Sequence, residues 1–557
     1  MSKLLASVRR NVGRRLSIRQ KLWLKRTFWG EHAWQRRPIR LRQTLQKQQL
    51  TQGAALNLNG APAVLTLRGS DAHSTASENL DLVRANLKSN GLRFVELPQM
   101  YSLRPHLVIH QADTTTALAS LLQLPSADGW NVTVYGEGGQ VLSHRRATQH
   151  PEKVFALHAF RRFAGTNGRV MSTPAERVII EPWEELGDDV ARADGSLHLS
   201  GTLRRRIQSK GLPVEYLSPK MQEDAHHQGA HKLEWPAPHL YEVTSPVDLV
   251  YTWVDGSDAR WLSRKSEAMG NLDSSAVNDT ALTDSRFLSH EELKYSLRSV
   301  EAYANWVNHI YIVTDRQVPA WLNTQHPKIS IVDHSDIFTD PSALPVFNSH
   351  AIESQLHHIP GLSEHYLYMN DDLFFLRPVN PDLFFTSSGL SKFFPSTAPL
   401  DMQEPSAADL PVLSAAKQGR NFMTEVHGRT VSNKFKHTPH PQLKSVLQQM
   451  EHEHPELFDR VAKSKFRHPS DYSIASALVH FHAYATKQAV RGRIRYAYLD
   501  IGAPEAQYVL DSLLRRDDLQ VLCLNDTDIA AQDRARVSDL LGTFLSSRFP
   551  VASSFEI

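Results

Sequence analysis

The chain carries one cysteine, Cys523, in 557 residues, which excludes an intrachain disulfide framework and any cluster of thiolate metal ligands. It reads as a protein of a reducing compartment. Long apolar runs are equally scarce. No window approaches the roughly 18–20 consecutive apolar residues that cross a bilayer, and the start, MSKLLASVRRNVGRRLSIRQ, breaks its apolar residues with arginine too often for a signal peptide. An excess of charge is missing too. With 62 basic against 59 acidic residues and a formal charge of +3, the chain lacks the positive balance of a nucleic-acid coat, so no nucleic-acid partner is expected. What is present is a 41% hydrophobic fraction, enough at this length for a large core divided into roughly two to four structural units.

Basicity is local. Residues 1–50 hold many Arg and Lys but a single acid, Glu31. Leu5, Val8, Val12 and Leu16 recur at helical spacing opposite Arg9, Arg10 and Arg14, followed by Trp23, Phe28, Trp29 and Trp34. Such a basic amphipathic segment suits an anionic membrane surface; a solvated arm, a contact with another domain and an organellar transit peptide are the other readings. Residues 51–217 read as an accessory α/β domain, with β-rich runs VLTL, LRFVEL, HLVIH, WNVTVYG and RVIIEPW and a helical stretch from Glu78 to Lys88 closed by Gly91. Its residues form no catalytic constellation, which suits a scaffold or an acceptor-positioning module. Residues 218–244, rich in Pro, His, Gln and charge, read as a linker, residues 245–530 as the catalytic domain, and residues 531–557 as a C-terminal helix and tail.

In the third of these regions four apolar runs end in acidic turns: VDLVYTWV before Asp255-Gly256, HIYIVT before Asp315, KISIV before Asp333 and HYLYM before Asn370-Asp371-Asp372. They predict buried strands of an α/β sheet. Ser289-His290-Glu291-Glu292 has capping-box spacing and leads into a helix whose Leu293, Leu297, Val300 and Ala304 share a face; a second helix is predicted over Ser349 to His358. Ligands of open α/β sheets sit beyond the carboxyl ends of the strands, so four acidic strand ends on parallel strands point to a metal-bound phosphate. An Asp pair can set one carboxylate on Mg²⁺ and leave the other to orient a ligand. YLYM before this pair and LFFL after it make uncompensated carboxylates costly, so a cation is expected nearby.

Histidines crowd the next stretch: His427, His437, His440, His468, His480 and His482. His437 and His440 flank Thr-Pro rather than sitting at helical i, i+4 spacing, which favours a proton acceptor over a zinc pair. Arg467, before His468 and Asp471, offers a planar cation for phosphate oxygens. The run VLCLNDT ends in Asn525 and Asp526, with Cys523 read as buried packing and not as a reactive thiol.

Together these blocks resemble the Stealth family, which includes bacterial capsule and exopolysaccharide phosphotransferases and the catalytic subunit of the animal N-acetylglucosamine phosphotransferase. The resemblance is carried by DLVYTWVDGSD at Asp248–Asp258, by the stretch from Phe287 to Phe385, by HTPHP and FRHPSDY between Lys436 and Tyr484, and by VLCLNDT, in that order; it leaves the residues before about Ser245 unsupported. It implies a Rossmann-like, GT-A-like α/β core with a helical, His-rich C-terminal part. It also implies transfer of a sugar 1-phosphate from a nucleotide diphosphosugar, a UDP-sugar foremost, to a hydroxyl of a polysaccharide acceptor. The products are a phosphodiester and a nucleoside monophosphate. Such chemistry asks mainly for positioning, charge neutralisation and a base.

The implied roles put Asp371 or Asp372 on Mg²⁺ (or Mn²⁺) and the diphosphate, with Asp526 as a further acid, and make His437 or His440 the base. Arg467 neutralises the transferred phosphoryl group while His468 and Asp471 orient neighbours; Trp253, Asp255, Gly256, Arg298, Asn348, Ser349, Glu353, Asn370 and Asn525 form the donor pocket. Asp255 stands where some relatives, including the animal enzymes, have Asn, so no metal-binding role is implied for it. Two rival readings are a metal-dependent glycosyltransferase that releases UDP and a glycan- or membrane-binding scaffold with an inactive site. The expected location is cytoplasmic, peripheral at the inner face of the cell membrane.

Overall fold

The computed structural model describes residues 55–56, 62–63, 71–99, 104–163, 169, 171–191, 195–206, 214–227, 231–270, 290–406, 408–526, 529 and 531–557. The basic start, the VLTL run and Ser289 lie outside them. Among the described residues no helix is long and apolar enough to cross a membrane.

The N-terminal part is built on an eight-stranded sheet. Helix α1 (Ala72–Ser89) starts at Asp71, whose carboxylate accepts from the His73 and Ser74 N–H groups at 2.7 and 2.9 Å, a side-chain cap for otherwise unpaired donors. It stops just before Gly91, whose φ of +71° ordinary side chains disfavour. Its Leu80, Val83 and Leu87 pack with Leu107, Ile109, Val132, Val134, Leu157 and Ile180. Those residues lie on β2 (His106–His110), β3 (Trp130–Gly136), β5 (Val154–Arg161) and β6 (Val178–Glu185); β1 (Phe94–Glu96), β4 (Val141–Leu142), β7 (Leu203–Arg204) and β8 (Tyr216–Leu217) complete the sheet. Its path runs β8-β7-β6-β5-β3-β4, with β2 parallel to β6 and β1 antiparallel to β2. The segment predicted as a linker has structure of its own: helix α2 (Pro219–His227), and a pairing of His231 and Leu233 with the Glu96 backbone at 2.7 and 2.9 Å. Pro and His frequency missed that backbone pairing, which covers the edge of β1.

The second part carries the five-stranded sheet on which the site is built. Its strands are β9 (Val247–Thr252), β10 (Ile310–Thr314), β11 (Ile329–Asp333), β12 (His365–Asn370) and β14 (His440–Leu443), ordered β11-β10-β9-β12-β14. The first four are the predicted apolar runs, and all four are parallel. Val250, Ile312, Leu367 and Met369 are fully buried, as expected of strands covered on both faces; each such side chain contributes roughly 1.5–3 kcal/mol. β14 closes the edge antiparallel to β12, pairing Tyr368 with His440. After building outward from β9 to β11, the chain crosses back to place β12 on the other side of β9. This reversal makes the β9–β12 boundary the topological switch point of a Rossmann-like α/β sheet.

A three-stranded sheet adjoins that boundary: β13 (Leu373–Phe375) pairs antiparallel with β16 (Val521–Asn525), which pairs parallel with β15 (Tyr496–Asp500). Helix α4 (Glu292–Tyr303) covers the other edge of β13. Its apolar residues Leu293, Leu297 and Val300 are buried as predicted, and so are Ser296 and Ser299. The Ser296 hydroxyl donates to Leu373 O at 2.6 Å, and the Ser299 hydroxyl accepts from Phe375 N at 3.0 Å. The expected back-reach of Glu292 lands on the His290 N–H, at 2.5 Å. The helix predicted over 349–358 is shorter: α5 (Ser349–Glu353) gives way to a 3₁₀ turn at Leu356–His358. Pro360 disfavours the helical conformation at the residue before it, and the tighter turn ends the segment. Four helices, α6 (Pro411–His427), α7 (Lys444–Glu453), α8 (Pro455–Ala462) and α9 (Val479–Ala485), make the His-rich part helical.

Candidate active site at the switch point

The register Thr252↔Asn370 brings the ends of β9 and β12 level, and the chain then turns through Asp371 and Asp372 into β13. Burial, and next the charge of Asp372, push the Asp371 carboxyl up from its usual range. Burial, and next the charge of Asp371, do the same to Glu292 at the start of α4. Asp372 Oδ1 is buried and accepts no hydrogen bond. Three crowded carboxyl groups and an unused buried oxygen fit a hard divalent cation, which takes oxygen donors.

The other acidic strand ends differ. Asp315, after β10, is paired with Arg264 at 2.7 Å; Arg264 lies on α3 (Ala259–Gly270). Asp333, at the end of β11, accepts from Ser335 N at 3.0 Å, Ser335 Oγ at 2.7 Å and Arg316 N at 2.7 Å. Burial opposes its ionisation, yet these donors hold its carboxyl below the usual range. Asp255 uses Oδ1 to accept from Ser257 N and Oγ at 2.8 and 2.6 Å, and its backbone is bridged by the Gln317 amide. Of the four predicted acidic ends, only the last is left crowded.

His437 meets this turn. Its Nε2–H donates to Asn370 Oδ1 at 3.2 Å, and its Nδ1 lies 3.8 Å from Asp372 Oδ2. His440 is three residues on, in β14, buried and in contact with His480 across 3.2 Å. Burial, with His480 and His437 adding to it, drives its imidazole well below the usual range; burial alone takes His480 to about 3. His427 and His482 form a second pair, 3.1 Å apart. The histidine crowd thus resolves into two pairs, His468 beside Ser470 and Asp471, and His437 alone on the acidic turn.

A second polar cluster lies one step down the same strands. Thr252 Oγ1 is 3.2 Å from Tyr368 OH, which donates to Glu353 Oε1 at 3.2 Å, while Ser476 donates to Glu353 Oε2 at 2.6 Å. Arg467 Nη2 donates to Ser349 Oγ at 2.6 Å. Asp471 Oδ2 accepts from Asn348 Nδ2 at 2.8 Å and from His468 N at 2.9 Å. Asn348, Ser349, Glu353, Arg467, His468 and Asp471 are therefore drawn together across more than a hundred residues of sequence.

Other predicted residues lie at the rim or away from it. Trp253 is half-buried, its N–H held by Val313 O at 2.9 Å, and Gly256 follows in the adjacent turn. Leu524 N donates to Asp372 O at 3.0 Å, so β16 runs beside the acidic turn and Asn525 and Asp526 come next. Arg298 goes elsewhere. It grips Glu556 through two hydrogen bonds of 2.8 and 2.7 Å, donates to Phe549 O at 2.9 Å and covers the Tyr295 ring, which commits it to the C-terminal tail.

Two residues at the turn escaped the sequence reading. Glu292 looked like a helix cap, and only its approach to Asp371 gives it a second role. Cys523 was read as packing. It is fully buried, but the pairing Leu373↔Cys523 sets its Sγ 3.4 Å from Asp372 Oδ2 and 3.2 Å from His437 Nδ1. Burial first, and then Asp372, push the thiol well above its ordinary range.

Fold and site together define an α/β protein of Rossmann-like topology, with an acidic, histidine-bearing centre at its switch point. The chain belongs to the Stealth family. Models of all four conserved regions match: region 1 over 245–273, region 2 over 286–393, region 3 over 436–484 and region 4 over 511–557. An exopolysaccharide phosphotransferase of Nocardia farcinica is 36% identical over 393 residues, 69% of this chain and 73% of that protein. One of Streptomyces coelicolor is 48% identical over 315 residues, 57% of this chain and 53% of that protein. CpsY of Mycobacterium tuberculosis, also an exopolysaccharide phosphotransferase, is 37% identical over 330 residues, 58% and 61% respectively. The chain spans about half the length of the Streptomyces relatives that match it at 48% and 43% identity. Among solved structures, the galactosyltransferase LgtC aligns with 53% of this chain and 96% of its own at 13% identity and a TM-score of 0.27. Mouse xyloside xylosyltransferase 1 aligns with 50% and 98% at 10% identity and a TM-score of 0.26.

Proposed function

We propose that the chain transfers a sugar 1-phosphate from a nucleotide diphosphosugar, a UDP-sugar foremost, to a hydroxyl group of a glycan, as a hexose-1-phosphate transferase of exopolysaccharide or capsule synthesis. The observation that carries the reading is the carboxyl cluster of Asp371, Asp372 and Glu292, crowded at the switch point while the neighbouring acidic strand ends are compensated. The relatives named above support it. These carboxylates would hold Mg²⁺ or Mn²⁺, which when bound neutralises charge on a diphosphate; Asp526, two residues after Leu524, whose N–H meets Asp372 O, would serve as a further acid.

Arg467, its planar cation steadied by Ser349 and Glu353, faces the transferred phosphoryl group, and Asn348, His468 and Asp471 keep that loop in place. Trp253, Gly256, Asn370 and Asn525 line the donor side. The acceptor oxygen attacks the phosphorus that bears the sugar; its new O–P bond forms as the bond to the nucleoside monophosphate breaks. When the acceptor displaces the Asn370 amide, the ring proton of His437 exchanges from Nε2 to Nδ1, where it is turned to Asp372, and the freed Nε2 takes the hydroxyl proton. His440 suits this role poorly, because an imidazole driven so far below its usual range holds a proton weakly. The sugar's anomeric bond is untouched.

The test is incubation of the full chain with UDP-sugars and a glycan acceptor. Release of UMP with a new phosphodiester signal in phosphorus NMR is expected; release of UDP alone identifies attack at carbon and overturns the proposal. Inactivity across a broad donor panel points to a scaffold instead.

A further inference from the structure

Asp372, His437 and Cys523 bring an oxygen, a nitrogen and a sulfur to one point from three separate strands or loops. The separations are 3.2 Å from sulfur to His437 Nδ1, 3.4 Å from sulfur to Asp372 Oδ2 and 3.8 Å from Nδ1 to Oδ2. In a tetrahedral zinc site, with Zn–S near 2.3 Å and Zn–N or Zn–O near 2.0–2.1 Å, the edges between donor atoms come to roughly 3.3–3.6 Å. The two sulfur edges fall a few tenths of an ångström short of their ideal and the nitrogen–oxygen edge exceeds its own by about half an ångström, so small side-chain shifts close the site. His437 is also in the tautomer a ligand needs: Nε2–H is given to Asn370 Oδ1, which leaves the Nδ1 lone pair facing the thiol and the carboxylate. Metal-bound histidines are ordinarily oriented by such a bond from their other nitrogen.

We propose that Asp372, His437 and Cys523 form a binding site for a soft divalent cation such as Zn²⁺, and that its occupation silences the transferase. Thiolate and imidazole select a soft cation over the magnesium-like ion that carboxylates take. On binding, the Cys523 S–H bond breaks, sulfur joins the metal and the proton passes to solvent. A tetrahedral ion on these three groups keeps its fourth position open. The inhibitory part rests on the proposed function: the ion occupies Asp372 and fixes His437 with Nε2 protonated, so the imidazole can no longer take the acceptor's proton.

Because the chain has one cysteine, the test is unusually specific. The full chain, stripped by a chelator and kept reduced, is titrated with Co²⁺ and then with Zn²⁺. One equivalent of Co²⁺ should give a thiolate-to-cobalt charge-transfer band, which Zn²⁺ bleaches. Cys523→Ser should abolish the band, and His437→Asn should weaken Co²⁺ binding on the order of 10-fold or more, with circular dichroism verifying that each variant folds. Absence of the band in the native chain, or His437→Asn binding Co²⁺ as tightly as native, overturns the site. In the same preparations, UMP release by the native chain should be inhibited by Zn²⁺ with a midpoint at least about 10-fold lower than for Cys523→Ser, each referred to its own untreated rate. Equal midpoints overturn the inhibitory role. A band without any UMP release leaves the site standing and counts against the proposed function; UMP release without a band does the reverse.

Discussion

The two sides of the switch-point crevice carry the same kind of residue in opposite states. On the side of β10 and β11, Asp315 has Arg264 and Asp333 has three donors. On the side of β12, Asp371, Asp372 and Glu292 crowd one another, and burial and mutual charge push Asp371 and Glu292 toward the protonated form. An acidic residue at a strand end is therefore ambiguous in itself; its partners decide whether it builds structure or awaits a ligand.

The sharpest way to break this contrast is to remove an acid from each side. Asp372→Ala should lower UMP release by on the order of 100-fold or more, the scale of losing a major electrostatic contributor in a closed site, while thermal stability holds or rises because like charges are relieved. An unchanged rate would move the chemistry elsewhere. On the compensated side, Arg264→Ala strands a carboxylate that is 8% exposed and should cost about 1–3 kcal/mol of stability in denaturant unfolding. Adding Asp315→Asn should recover much of that loss.

A smaller effect separates His437 from the buried histidine pair. His480 is held near 3 in the folded chain against 6.5 when free. The fold therefore prefers the neutral ring: its stabilising effect is intact above 6.5 and is lost as pH falls from 6.5 toward 3. At pH 5.5 the loss is about 1 kcal/mol, visible as the part of the drop in Tm that His480→Phe should remove, His440 keeping its own. The least effect is expected at Asp255, whose side chain accepts from Ser257 in a way an amide oxygen can reproduce. Asp255→Asn should alter stability by no more than about 0.5 kcal/mol and leave UMP release near the native rate; a large loss would give that carboxylate a ligand role.

The four central strands were legible because buried parallel strands leave unbroken apolar runs, and Asn370-Asp371-Asp372 stood out against such wrapping. The order of those strands was not, since nothing in HYLYM says that it lies beside VDLVYT and away from KISIV. The same limit hid Cys523. Its neighbours Asp372 and His437 are 151 and 86 positions away; the antiparallel pairing of β13 with β16 brings in the first, and that of β14 with β12 the second. Arg298 looked available for a phosphate because Glu556, its partner, is 258 positions distant. Glu292 was visible but had a sufficient local explanation as a cap.

The hydroxyls of Ser296 and Ser299 bear on how the acidic turn behaves before any ligand arrives. By answering the free edge of β13, they act as a two-residue substitute for a strand, so the turn is anchored on its exit side by a helix and by β16 at once. With β12 leading in and β13 leading out, the backbone of the turn is held at both ends. The mutual repulsion of Asp371, Asp372 and Glu292 is thereby kept at one place, as a standing preference for positive charge at that end of the sheet.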